Sequence, residues 1–241
     1  MQDDITVCVL SAVEPPLPEC LQAVEAQLGG PYRVIQVHDV FPMSSAFNAM
    51  VERSKTKYII QVDADVVLHV GAVETLLHHI RRTPWAYVVW GQLFEAGFGL
   101  GGAIRCWRRW PLRVFRFREK RCVDRDLHAR IRWTGMRRVQ VKWSDAPEKP
   151  FGTHFPRQTP FARFSKAKGD ALKWIHLGRT DMHEAFRARV NDSSLARTYP
   201  ERLGLYAASI SSTRDRSKNL QEDWWEYQKL CESMKGFAGT S

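Results

Sequence analysis

The 241-residue chain lacks any apolar run approaching the roughly 18 residues that a membrane-spanning helix needs. Its first residues, "MQDD", carry acid where a secretory leader carries base, so the expected setting is soluble and cytoplasmic. Cysteine is scarce. The five residues Cys8, Cys20, Cys106, Cys122 and Cys231 are odd in number and free of C-x-x-C spacing. That argues against a disulfide framework and against a thiolate zinc site, and leaves most of them as small buried apolar side chains. There is no internal repeat and no low-complexity tract, so neither a solenoid nor a biased, unstructured segment is expected. Acid is also short: 26 Asp and Glu stand against 36 Lys and Arg, a net charge of +10. Such an excess calls for a polyanionic partner, whether nucleic acid, an anionic membrane face or a phosphorylated substrate, and does not choose among them.

What is present suits one globular domain of generous size, or one domain with an extension, since 44% of residues are hydrophobic and 26% charged. The first half alternates strand and helix. "ITVCVLS" (5–11) is a β-branched apolar run, and Leu17, Cys20, Leu21 and Val24 then recur at helical spacing. "YRVIQV" (32–37) is a second strand, and "SSAFNAMVERS" (44–54) a helix with serines at its N-cap position. "YIIQVD" (58–63) is a third strand, followed by a helix with Val73, Leu76, Leu77 and Ile80 on one side, and "WAYVVWGQLF" (85–94) a fourth. This alternation predicts an α/β fold with a mainly parallel sheet and helices on both faces.

Past residue 94 the pattern changes. "EAGFGLGGA" (95–103) reads as a turn or loop, and "IRCWRRW" with "LRVFRFR" (104–118) as antiparallel strands. "CVDRDLHARIRW" (122–133) has helical spacing and "GMRRVQVKW" (135–143) a strand pattern. A loop punctuated by Pro and Gly (144–160) leads into a mostly helical C-terminal third, in which residues 161–175 and 219–234 are amphipathic. Trp224, Trp225, Tyr227, Leu230 and Cys231 can form an apolar face there, to pack on the α/β domain or to lie on a membrane or a second copy. The expected division is a core over 1–145 and a loop with a helical extension over 146–241.

In open α/β sheets ligands bind outside the carboxyl ends of the strands, where Asp39, Asp63 and Asp65 should gather. Two carboxylates at D-x-D spacing on a strand end can meet a hard divalent cation such as Mg²⁺ or Mn²⁺ that bridges a diphosphate. The same tripeptide also occurs in ordinary solvated turns. Left unpaired beside a buried strand, however, the two acids would cost several kcal/mol of desolvation unless something cationic or solvent compensates.

Taken in order, "ITVCVLS", "VIQVHD", "SSAFNAMVERSKTKYIIQVDADVVLHVGAVETLL" and "VDRDLHARIRWTGMRRVQV" resemble a family 2 glycosyltransferase of the GT-A fold over roughly residues 5–155. The third block carries most of the likeness, with Asn48, the strand, the aspartate pair and the following helix in the family's order. In the fourth, Asp124, Leu127 and Arg130 match the family's E-D-x-x-L-x-x-R helix, although Val123 stands where glutamate is expected.

The resemblance implies an inverting transfer of a sugar from a nucleotide-sugar donor to a carbohydrate, glycolipid or other hydroxyl acceptor. It implies Asp63 and Asp65 at the metal and the donor ribose or diphosphate, Ser11 and Asp39 lining the nucleotide pocket, and Mn²⁺ or Mg²⁺ as cofactor. Asp124 would be the general base, with Asp126 as a competitor. His154, in "FGTHFP", falls where many GT-A enzymes supply a histidine to the metal, and a lone loop histidine can equally be a polar surface group. "RCWRRWPLRVFRFREKR" (105–121) holds eight Arg or Lys against one Glu, interleaved with aromatics. It could stack on nucleic acid or sugars, grip a phosphorylated acceptor, touch an anionic leaflet, or simply be a hairpin with its aromatics inward. Given the resemblance, nucleic acid is the less favoured partner, and a peripheral contact with the inner face of the membrane is open.

Overall fold

The computed structural model describes residues 4–12, 16–27, 30, 32–95, 99–155, 160–176, 184, 204, 207–208 and 220–238. The elements, in chain order, are β1 (Ile5–Ser11), α1 (Pro18–Glu25), β2 (Arg33–His38), α2 (Met43–Arg53), β3 (Tyr58–Asp63), β4 (Val66–Leu68) and α3 (Ala72–Arg82). They continue with β5 (Ala86–Glu95), β6 (Gly99–Arg108), α4 (Arg109–Val114), α5 (Val123–Arg132), β7 (Arg137–Gln140), β8 (Gly152–His154) and α6 (Pro160–His176). The helix Leu220–Ala238 is α7.

One mixed sheet runs β2-β1-β3-β6-β5-β8-β4, with β7 paired to β5. β1 is central to its first half and pairs in parallel with both β2 and β3. β6 enters antiparallel between β3 and β5. Every position of β3 from Tyr58 to Val62 is buried, and each such Ile or Val contributes about 1.5–3 kcal/mol. The strand has a core on each face. α1 and α3 help to cover one side, with Cys20, Val24, Val73 and Leu76 around Ile60 and Val62. α2, α4 and α5 help to cover the other, with Met50, Leu112, Leu127 and Ile131 around Ile59 and Trp107. The GT-A-type α/β expectation therefore holds, and the fully buried Cys8, Cys20 and Cys106 pack as small apolar groups. Burial pushes the Cys8 thiol up to about 12 and that of Cys20 up to about 11.

Three local expectations are corrected. Most of the glycine-rich stretch is strand, because β6 begins at Gly99 and forms a long hairpin with β5; residues 96–98 lie outside the described set. "LRVFRFR" is not a strand: Pro111 falls in the first turn of α4, where a missing N–H costs nothing, and the sheet extends no further than Arg108, the last residue of β6. The serines expected to cap α2 stand inside its first turn, since that helix already begins at Met43.

The chain divides into two compact units, the first being Met1–Val40, Ser44–Arg118 and Val123–Pro156. The second comprises Phe41–Met43, Glu119–Cys122 and Arg157–Ser241. Within the second, Lys168 Nζ of α6 donates to Asp223 Oδ1 of α7 at 2.7 Å and to Glu226, while Ser165 Oγ donates to Asp223 Oδ2 at 2.7 Å. Burial alone would lower the Lys168 pKa, but the two carboxylates outweigh it and raise it. Tyr227, Leu230 and Cys231 pack around Phe164 of α6, so part of the apolar face of α7 is met inside its own unit, and Trp225 stays outside at 54% exposure.

Candidate active site

β1, β2 and β3 are parallel, so their carboxyl ends share one edge of the sheet. Leu10 lies opposite Asp63 and Ser11 opposite His38 in the register. Ser11 Oγ and His38 Nδ1 are 2.8 Å apart, and the Asp39 amide donates to the Ser11 carbonyl at 3.2 Å. Asp39 holds φ at +58°, a left-handed conformation that aspartate adopts more readily than most side chains. Ser11 and Asp39 thus stand together at the mouth, with His38 as a neighbour the sequence did not single out.

The aspartate pair is split across a turn, Asp63 ending β3 and Asp65 preceding β4. Asp63 can be reached by water yet sits in a recess walled by protein. That surrounding protein first, then the charge of Asp65, raises its pKa above the ordinary carboxylate value, against the opposing pull of Arg105, His154 and the Gln61 amide. Gln61 Nε2 is 3.5 Å from Asp63 Oδ1, and its own carbonyl oxygen takes the Trp107 indole N–H at 3.2 Å. A lone polar residue inside "YIIQV" is thereby fixed in orientation by a fully buried tryptophan.

His154, expected on a loop, stands on β8, where strand pairing places it opposite Val66 of β4 and Glu95 of β5. The Phe155 amide donates to the Asp65 carbonyl at 2.8 Å. His154 Nε2 lies 3.1 Å from Asp65 Oδ2, and Nδ1 lies 3.9 Å from Glu95 Oε2. Burial alone would lower the imidazole pKa, but the hydrogen bond and charge of Asp65, with Asp63 and Glu95 behind it, raise it.

Among the described residues no three His, Cys, Asp or Glu side chains form a closed metal cage. A cation that bridges a diphosphate needs only one or two protein ligands, and a carboxylate facing an imidazole is a donor set that suits Mn²⁺. The residues present fit such an ion.

Asp124 and Asp126 both fall in the first turn of α5. Arg130 donates to Asp126 at 2.8 Å and also holds the carbonyls of Phe115 and Arg116 at 2.7 and 2.8 Å, so Asp126 belongs to a tie between α5 and the preceding segment. Asn48 clamps that same segment, donating to the Phe117 carbonyl at 2.9 Å and accepting its amide at 3.0 Å. Asp124 is bound differently. Its Oδ2 lies 3.3 Å from Arg105, and its side chain keeps 35% exposure. Arg105 is opposite Gln61 in the β3–β6 register, and its charge also reaches Asp63. It therefore links the aspartate pair to α5. A cation in the middle of the apolar run "AIRCW" was the available signal, hidden by the basic stretch around it.

That stretch forms no single face. Trp107 is fully buried, Phe117 is 3% exposed, and Arg108 is 7% exposed beneath the Ile80, Thr83 and Ala86 carbonyls at 2.6, 3.1 and 2.8 Å. No described helix is long and apolar enough to cross a membrane.

Two solved structures share this fold. The mannosyltransferase PcManGT from Pyrobaculum calidifontis, in complex with GDP-Man and Mn²⁺, is 12% identical with a TM-score of 0.53, and the match covers 86% of this chain and 79% of that one. TarS 1–349 from S. aureus, in complex with UDP-GlcNAc, is 12% identical with a TM-score of 0.50, covering 85% of this chain and 79% of that one. No curated protein matches the sequence. The family model "Glycosyl transferase family 2" matches residues 18–144, more than half of the chain, and spans the strand ends at Asp39, Asp63 and Asp65 and the helix that carries Asp124. The chain belongs to glycosyl transferase family 2 and is a glycosyltransferase.

Proposed function

We propose that the enzyme moves a sugar from a nucleoside-diphosphate sugar to an acceptor hydroxyl with inversion at the anomeric carbon, in a divalent-metal-dependent reaction. The observation that carries this is His154, brought by β8 to 3.1 Å from Asp65, with Asp63 two residues before it at the end of β3. Asp65 and His154, with Asp63, would hold Mn²⁺ or Mg²⁺. The ion supplies neutralisation of the departing diphosphate. Ser11 and Asp39 line the nucleotide side. Asp124, partly exposed and held at one oxygen by Arg105, accepts the proton of the acceptor hydroxyl, a role typically contributing about 10² to 10⁴ in rate. Asp126, consumed by Arg130, is poorly suited to it. The GDP-Man and UDP-GlcNAc of the two solved structures support the donor class. We place the enzyme in the cytoplasm, and its net charge of +10 suits peripheral contact with an anionic inner membrane face where a glycolipid acceptor would lie.

Thermal-shift titrations of nucleoside diphosphates and nucleotide sugars, with and without Mn²⁺, test this reading. One nucleotide class should stabilise the protein in the presence of Mn²⁺. Asp65→Ala should lose that shift, and Asp124→Asn should keep it while losing donor turnover. Full turnover in either variant would remove the mechanism.

A further inference from the structure

On the far side of α5 from the Asp126–Arg130 tie lies a cleft of about 630 Å³, lined by Tyr87, Arg125, His128, Arg132, Arg137 and Arg138 along with the turn at Gly135–Met136. That volume lies within the roughly 300–1,000 Å³ range of small-molecule sites. All four arginines are exposed, and among the described residues none of their guanidinium groups pairs with a carboxylate. Four unpaired cations around one concavity repel one another, an arrangement that an anion relieves. Arg138 is preset, its guanidinium lying 5.0 Å over the Trp90 ring. Arg125 and Arg132 are seven residues apart on α5, so they stand on the same helix face about 10 Å apart.

His128 forms part of the cleft wall and is held from behind. His128 stacks on Trp107 with 6.0 Å between ring centroids, and its Nδ1 is hydrogen-bonded to the Tyr87 hydroxyl, while its Nε2 is buried without a partner. His128 stands one helical turn after Asp124, whose charge reaches both His128 and Tyr87. The cleft is thus adjacent to the residue assigned to the acceptor, and it is built from α5, β5 and β7 rather than from the strand ends that carry the aspartate pair.

We propose that this cleft is a second anion site, separate from the donor diphosphate site, which holds a phosphate ester or pyrophosphate group on the acceptor. The assignment to the acceptor rests on the reading of Asp124 as the base; the anion site itself does not. Guanidinium groups provide the bidentate donors that phosphate oxygens accept. The limited volume favours a small polyanion over an extended nucleic acid.

The test uses the full chain in EDTA, where no cation can bring an anion to the carboxylates, and inorganic pyrophosphate as the probe in calorimetry. One equivalent should bind. The double variant Arg125→Gln/Arg138→Gln should weaken binding by about tenfold or more, and Arg132→Gln/Arg137→Gln should do likewise, while Asp65→Ala should leave it unchanged. Vesicles of phosphatidylcholine doped with phosphatidic acid form a second arm. Capture that pyrophosphate displaces supports a lipid-borne group, and absence of capture with pyrophosphate still bound supports a soluble one. Failure of pyrophosphate to bind, binding as tight as the parent's in both arginine variants, loss in Asp65→Ala, or far tighter and salt-sensitive binding of an oligonucleotide would each overturn the site. Nucleotide stabilisation with Mn²⁺ is measured separately, so the donor reading and the anion site can fail independently.

Discussion

Arg105 shows how one side chain can serve two ends of a site. It rises from β6 between the buried Ile104 and Cys106, lies 3.3 Å from Asp124 Oδ2, and lowers the proton affinity of Asp63 against the surrounding protein and the charge of Asp65. Removing it would leave Asp124 with the Arg125 amide, which donates to its Oδ1 at 2.9 Å, as its remaining hydrogen bond, and let Asp63 compete more strongly for a proton instead of a cation. Replacing a group that orients catalytic or metal-binding side chains typically costs about 10- to 100-fold in activity or metal affinity. Arg105→Met should therefore require more Mn²⁺ for the nucleotide-induced thermal shift and should cut donor turnover by about that factor, with the ligand-free unfolding midpoint little changed. Turnover equal to that of the unmodified enzyme would mean that Asp124 is oriented by other contacts.

At the scale of elements, the three-residue strand β8 delivers His154, and it depends on two close approaches. Phe151, just before it, packs flat on Gly91 of β5, where an added Cβ would lie 2.4 Å from the ring. Gly152 lies against the Val67 carbonyl of β4, which an added Cβ would meet at 2.6 Å. The segment is further held by the His69 imidazole and the Trp143 indole, both reaching the Pro150 carbonyl, at 2.9 and 3.2 Å, and by Trp143 stacked 4.7 Å from Phe151. Neither glycine has room for a methyl group without displacement of β8. Gly152→Ala and Gly91→Ala should move His154 from Asp65 and weaken the Mn²⁺-dependent nucleotide shift by about tenfold or more, with Gly152→Ala the more severe because it meets backbone. If titration of Mn²⁺ gave unchanged midpoints in both variants, His154 would have no part in holding the ion.

For the molecule as a whole, the sheet and its two cores were legible because apolar periodicity in residues 5–94 reports burial directly, and the strand-end position of Asp63 and Asp65 followed from it. The position of His154 on a strand was not legible, since so short a strand carries no periodicity of its own and its register depends on β4 and β5, both far back in the chain. Arg105 and Gln61 were obscured for a related reason: their partners are cross-strand neighbours, invisible until β6 is placed antiparallel to β3. His128 carries the same lesson into stability. Sequence showed a polar residue on a helix, whereas the structure packs it between Tyr87 and Trp107, and burial holds its pKa at about 4 against a free value of about 6.5. Asp124 pulls that value up and Arg138 and Arg105 push it down, but burial dominates. Because the folded state binds this proton less readily than the unfolded chain, the contribution is intact above 6.5 and is lost as pH falls toward 4. His154 acts in the opposite sense, its raised pKa giving stability below the unfolded value that disappears as pH rises through the folded one. The two cannot be separated in the parent protein alone, so the comparison is with His128→Gln, which cannot take up a proton. Its thermal unfolding midpoint should fall less steeply than the parent's between pH 6.5 and about 4, whatever its stability at neutral pH. Parallel profiles over that window would show that His128 is protonated equally well in the folded and unfolded chain, and that its burial against Trp107 carries no electrostatic cost.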